Sequence, residues 1–119
     1  MILIIDDDSA VRSSLSFMLK RAGYEAQTVS GPREAMEVVR SVAPDLILMD
    51  VRMPGLDGLS AAGIIRELNP TIPIIATTAF AFETDRGMAL AAGCNEYISK
   101  PLEAEKLKTM IERCLENKL

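Results

Sequence analysis

The chain has no histidine, and its two cysteines stand alone at Cys94 and Cys114. Zinc sites draw on clustered cysteine and histidine, and redox motifs on a CxxC pair, so both chemistries lack their ligands here. The thiols read as packed or incidental groups in a protein of a reducing, cytoplasmic compartment. No run of lysine or arginine occurs, and the 119 residues carry a net charge of −4. Nucleic acid is disfavoured as a direct partner, because a phosphate backbone calls for a basic stripe. Long apolar runs are missing as well. The longest, such as Ile2 to Ile5 and Leu46 to Met49, have the length of strands and cannot span a bilayer. Met1 leads straight into the first run without a basic lead-in or a cleavage pattern, so no secretory signal is expected. Nor does a glycine-rich turn follow that run. Asp6-Asp7-Asp8-Ser9 stands there instead, and three carboxylates would repel the pyrophosphate of a dinucleotide or the phosphates of a P-loop ligand.

What is present suits a single domain over residues 1–119. Hydrophobic residues make up 49% and charged residues 25%, enough apolar material for a core and too little net charge for disorder. Strand-like and helix-like segments alternate. Ile2–Ile5 reads as a strand covered on both faces. Asp8 or Ser9 caps a helix with Val11, Leu15, Met18, Leu19 and Ala22 inward, ended by Gly23. Tyr24–Val29 reads as a second strand. Pro32 opens a helix whose inner face is Ala35, Val38, Val39 and Val42. Leu46–Met49 is the third strand, and a turn-rich loop from Met53 to Gly58 follows Asp50. The next helix places Ala61, Ile64, Ile65 and Leu68 on one face. Ile72–Thr78 is a fourth strand, with Pro73 confined to its start. Glu83–Ala92 reads as a helix with Met88, Ala91 and Ala92 inward, ending at Gly93. Glu96–Ser99 is a fifth strand. Glu103–Leu115 closes the chain with Leu107, Met110, Ile111, Cys114 and Leu115 inward. Five alternations imply an α/β fold, a doubly wound five-stranded parallel sheet with five helices on both faces.

Such sheets bind ligands at the carboxyl ends of their strands. Asp6, Asp7 and Asp8 follow the first strand, Asp50 the third, Thr77 and Thr78 close the fourth, and Lys100-Pro101 follow the fifth. Two carboxylates about 5 Å apart repel by roughly 3 kcal/mol at an effective dielectric of about 20. The cluster therefore favours a hard divalent cation, and Mg²⁺ (or Mn²⁺) suits it, keeping several waters and taking one or two carboxylates together with a phosphate oxygen. Lys100 supplies a further positive charge. Singly, each residue is ordinary: an acid after a strand caps a helix, a lysine is solvated, a threonine bonds locally. Together they mark one edge of one sheet.

At these residues the chain resembles the receiver domain of two-component response regulators over nearly its whole length. The resemblance rests on Asp6-Asp7, on Asp50 followed by Met53-Pro54 and Asp57-Gly58, on Thr78-Ala79, and on Tyr97 before Lys100-Pro101. It implies a flavodoxin-like strand order of 2-1-3-4-5. It also implies that Asp50 accepts a phosphoryl group from a sensor histidine kinase or histidine phosphotransfer protein. Asp7, Asp50 and the backbone carbonyl of Arg52 would hold the metal, with Asp6 on metal-bound water, although Asp8 competes with Asp7 for that place. Lys100 and the metal would neutralise the transferring group, and the Thr78 hydroxyl would bond a phosphoryl oxygen. Tyr97 would then swing inward and alter the surface formed by the fourth helix, fifth strand and fifth helix, signalling to an output domain or downstream protein. Homodimerisation through that surface is compatible with the resemblance. A cis Lys100-Pro101 peptide is implied too. Arg52 and Phe80, two residues beyond Asp50 and Thr78, would tune the lifetime of the acyl phosphate, Phe80 by screening it from water. On this reading the domain assists its own phosphorylation and is not otherwise an enzyme. An aspartyl-phosphate hydrolase would place a second acid where Arg52 stands. The alternative from another class is a receiver-like interaction scaffold that never carries phosphate.

Overall fold

The structure, a computed structural model, describes residues 1–50, 58–78, 87 and 89–117. Five strands form one parallel sheet: β1 Ile2–Ile5, β2 Ala26–Val29, β3 Leu46–Asp50, β4 Ile74–Thr78 and β5 Glu96–Ser99, in the order β2-β1-β3-β4-β5. Every pairing is parallel, so each step along the sheet requires a crossover. The crossovers are helical: α1 Ser9–Arg21, α2 Pro32–Ser41 and α3 Gly58–Leu68, with helical residues 89–91 before β5. A C-terminal helix, Ala104–Asn117, completes the chain.

Strand alternation divides the core in two. Leu3, Ile5, Ile47, Met49, Ile74 and Ala76 point to one face, where Ala35 and Val39 of α2 and Ala61, Ala62 and Ile65 of α3 cover them. Ile2, Ile4, Leu46, Leu48, Ile75 and Ile98 point to the other, under Leu15 and Leu19 of α1 and Leu107, Met110, Ile111 and Cys114 of the C-terminal helix. Burial on both sides explains why β1 and β3 read as continuous apolar runs instead of alternating ones.

Helix ends follow their local chemistry. The Asp8 carboxylate accepts from the amides of Ala10 and Val11, at 2.9 and 3.3 Å, and so caps α1. Gly23, at φ +94°, ends it, and the Tyr24 amide reaches back to the Leu19 carbonyl at 3.0 Å. The same device recurs at Gly93, φ +112°, where the Cys94 amide donates to Ala89 O at 3.1 Å.

Several expected inner faces are narrower than the periodicity suggests. Val42 is exposed, because α2 ends at Ser41 and Val42 has already left the helical stripe as its cap. Ile64 and Leu68 also reach solvent, since α3 turns the row Ala61–Ile65, with Ala62, onto the sheet. Before β5, Ala89 is buried and Ala91 exposed, whereas Met88 lies outside the described residues. β2 begins at Ala26, two residues after Tyr24, because Tyr24 completes the glycine turn. β4 begins at Ile74, since Pro73 has no amide to offer a neighbouring strand.

Candidate phosphoacceptor and metal site

The carboxyl ends of β1, β3, β4 and β5 meet at one edge. Asp6 leaves β1 directly and is buried, 1% exposed; Asp50 ends β3 and is 6% exposed; Asp7, the next residue after Asp6, is open to solvent. Oxygens from Asp6, Asp7 and Asp50 lie within 4.8 Å of one another. The alternation of β4 sends Thr77 and Thr78 to opposite faces, and both are buried. Thr77 pairs in register with Asp50, and Thr78 with Ser99.

Lys100 enters this cluster from the end of β5. Its Nζ donates to Asp6 Oδ2 at 2.9 Å and to Asp50 Oδ2 at 3.4 Å. Burial works against the lysine charge, but the hydrogen bonds and negative charges of Asp6 and Asp50 together outweigh it and raise its pKa. The Lys100 amide donates to the Thr78 carbonyl at 2.6 Å, so backbone bonding continues between these strand ends right up to the site. The Lys100–Pro101 peptide is cis. Tyr97, half-buried on β5, packs against the core on the α2–α3 face of the sheet.

The three acids of the 6–8 run divide their tasks. Asp8 caps α1, while Asp6 and Asp7 face Asp50. Asp6 is held from both sides, since its Oδ1 accepts from the Asp8 amide at 2.9 Å. One feature escaped the sequence reading: Arg12, in the first turn of α1, donates from Nη1 to the Asp6 carbonyl at 2.8 Å. No sequence signal pointed to it, because the group it bonds is a backbone carbonyl. Arg52 and Phe80, with Met53-Pro54, Asp57 and Ala79, lie outside the described residues.

The donor set fits a hard cation. It offers only carboxylate oxygens, two from buried residues, and a single ammonium is the counter-charge among the described residues. Mg²⁺ could be taken up by Asp6, Asp7 and Asp50 without any soft or imidazole ligand.

A doubly wound sheet with this acid cluster and lysine at its switch edge defines a receiver-type signalling domain. The comparisons agree. The profile of the response regulator receiver domain matches residues 2–112, and the chain belongs to that family, the receiver domain of two-component systems. A 14.6 kDa uncharacterised protein of Leptolyngbya boryana is 38% identical over 96% of this chain and 89% of its own length. Response regulator MprA of Mycolicibacterium vanbaalenii is 39% identical, matching 89% of this chain but 46% of that protein. Transcriptional regulatory protein ZraR of Escherichia coli is 36% identical, and the chain spans 26% of its length. Among solved structures, a response regulator of Chloroflexus aurantiacus superposes with a TM-score of 0.92 at 32% identity, covering 97% of this chain and 96% of that one. The receiver domain of NtrX from Brucella abortus gives 0.92 at 28% identity, with 98% of each chain covered. Among the described residues no helix is long and apolar enough to cross a membrane.

Proposed function

We propose that residues 1–119 act as one phosphoacceptor unit in which Asp50 takes a phosphoryl group from a phosphohistidine. The donor is a sensor histidine kinase or a histidine phosphotransfer protein. The observation that carries this reading is the convergence of the Asp6, Asp7 and Asp50 oxygens within 4.8 Å, with the Lys100 ammonium on two of them.

A carboxylate oxygen of Asp50 forms the new O–P bond as the P–N bond breaks. The bonding pair stays on the imidazole nitrogen, which takes its proton from solvent. A bound Mg²⁺ supplies charge neutralisation for the phosphoryl oxygens. Asp6, Asp7 and Asp50 are the described residues that would hold it, with the Arg52 carbonyl as a further ligand. Asp6 and Asp50 also hold the Lys100 ammonium beside the reacting oxygen, where it meets charge that grows during transfer. The Thr78 hydroxyl and Tyr97 serve as the switch, passing the change to the face formed by β5 and its neighbouring helices. An output domain or a downstream protein reads that face, and a second copy of the chain is a further candidate partner. Phe80 shields the acyl phosphate, and with Arg52 sets its lifetime.

Intact mass after incubation with acetyl phosphate, with and without Mg²⁺, tests the reading on wild type and Asp50→Asn. A single phosphoryl adduct that needs both Mg²⁺ and Asp50 is expected. No adduct and no Mg²⁺ binding would identify a silent scaffold, and an adduct retained in Asp50→Asn would overturn the choice of Asp50. Phe80→Ala is expected to shorten the phosphoryl half-life, and an unchanged half-life removes its shielding role.

A further inference from the structure

The turn that carries the two metal-facing acids is fastened at every polar atom of Asp6. Its amide donates to Val29 O at 3.2 Å, its Oδ1 accepts from the Asp8 amide at 2.9 Å, and its Oδ2 accepts from Lys100 at 2.9 Å. The remaining group, the Asp6 carbonyl, accepts from Arg12 Nη1 at 2.8 Å. That carbonyl belongs to the peptide linking Asp6 to Asp7. A planar peptide held at its oxygen fixes where the next Cα stands, so the bond governs how the Asp7 side chain leaves the turn. Asp7 needs such help most, because it is the exposed member of the acid cluster.

Arg12 is itself well placed to be rigid. It lies in the first turn of α1, is half-buried, and its own amide donates to Asp8 O at 3.0 Å within the capped start of the helix. Three carboxylates are close in sequence, yet among the described residues Arg12 forms no salt bridge with any of them. The guanidinium is used as a hydrogen-bond donor to a backbone oxygen and not as a counter-ion. Buried and half-buried donors of this kind orient the groups that touch a metal, and their loss weakens metal binding without removing a ligand.

We propose that Arg12 is a positioning residue for the divalent cation, acting through the Asp6–Asp7 peptide to set the Asp7 carboxylate against Asp6 and Asp50. This inference rests on the metal-assisted reading of the site. Positioning and charge make opposite predictions for Arg12→Ala. A cation near the acids repels Mg²⁺, so its removal should tighten binding if charge were its role. Loss of positioning should weaken it.

Calorimetric titration of the phosphate-free protein with Mg²⁺ decides between them, with thermal melts to establish that each variant is folded. Arg12→Ala is expected to raise the Mg²⁺ dissociation constant roughly tenfold. Arg12→Lys, which keeps an N–H donor at shorter reach, is expected to recover part of that loss. In acetyl phosphate labelling the half-saturating Mg²⁺ concentration should move with it, while the rate at saturating Mg²⁺ stays near wild type. Unchanged or tighter binding in Arg12→Ala, with wild type binding Mg²⁺ normally, overturns the role of Arg12 alone. A wild type that takes up no Mg²⁺ overturns the metal-assisted reading itself, and this inference with it.

Discussion

Lys100 and Cys94 show how single side chains respond to what surrounds them. Lys100 places one ammonium on two buried carboxylates, so Lys100→Met removes that positive charge from both Asp6 and Asp50. Stability without metal is expected to fall by roughly 1–3 kcal/mol, less than for a fully enclosed pair because the lysine keeps some solvent contact. Mg²⁺ should restore more stability to this variant than to wild type, measured as the shift in Tm on adding the ion. Cys94 behaves differently. Burial pushes its thiol from an ordinary 9.0 up to about 11, against the opposing charge of Arg66. The folded state therefore holds the proton more tightly than the unfolded state. That contribution is complete below pH 9 and is lost as pH rises towards 11, by roughly 2–3 kcal/mol for a shift of this size. Urea melts across that window should show the decline, with a shallower slope in Cys94→Ala. At this scale the chemistry was legible: acids, threonine and lysine announced themselves by standing just after apolar runs. Arg12 was not legible, because its partner is a backbone carbonyl and a sequence carries no mark of which carbonyls lack a partner.

Elements are joined at the opposite end of the sheet by Arg66. From the last turn of α3 its guanidinium donates to Ile72 O at 2.6 Å, Gly93 O at 2.7 Å, Asn95 Oδ1 at 2.8 Å and Pro70 O at 3.1 Å. The Asn95 carboxamide oxygen also accepts from the Ile74 amide at 2.9 Å. One side chain thus ties the end of α3 to the starts of β4 and β5. Arg66→Ala would leave several carbonyls unmatched, and we expect a loss of about 2–4 kcal/mol in denaturant melts. Because this clamp sits away from the acids, Mg²⁺ affinity should not change. Gly93→Ala should be destabilising too, by about 1–2 kcal/mol, since φ is +112°, a conformation that a residue with a Cβ adopts only under strain. Helix boundaries were readable where a cap residue or a glycine set them, as at Asp8, Gly23 and Gly93. Faces were harder to read. Ile64 and Leu68 have the spacing of an inner row, but the neighbouring row of Ala61, Ala62 and Ile65 is the one buried against the sheet. Ile64→Ala is accordingly expected to cost under about 1 kcal/mol, whereas Ile65→Ala, fully buried beside it, should cost about 2–5 kcal/mol.

The molecule as a whole is two apolar layers sharing one sheet. Leu48 belongs to one layer and Ile65 to the other, yet the strands between them are common to both. Leu48→Ala and Ile65→Ala should therefore lower one and the same transition, with calorimetric and van't Hoff enthalpies remaining equal. Separate transitions would show that the layers melt independently. The alternation of apolar runs with helical periods made the parallel architecture readable, because only a crossover connects parallel neighbours. Strand order was not readable that way, since periodicity does not say which strands are adjacent, and it came from the resemblance to receivers. The outermost strands, β2 and β5, are four residues long, and Gln27 and Thr28 of β2 stand exposed. Short borders of this kind give an incoming chain little backbone to zip onto, which guards against runaway sheet growth. Contacts with other proteins are therefore left to side chains on helices and loops, and on the proposed reading a change at Asp50 alters them without disturbing the sheet.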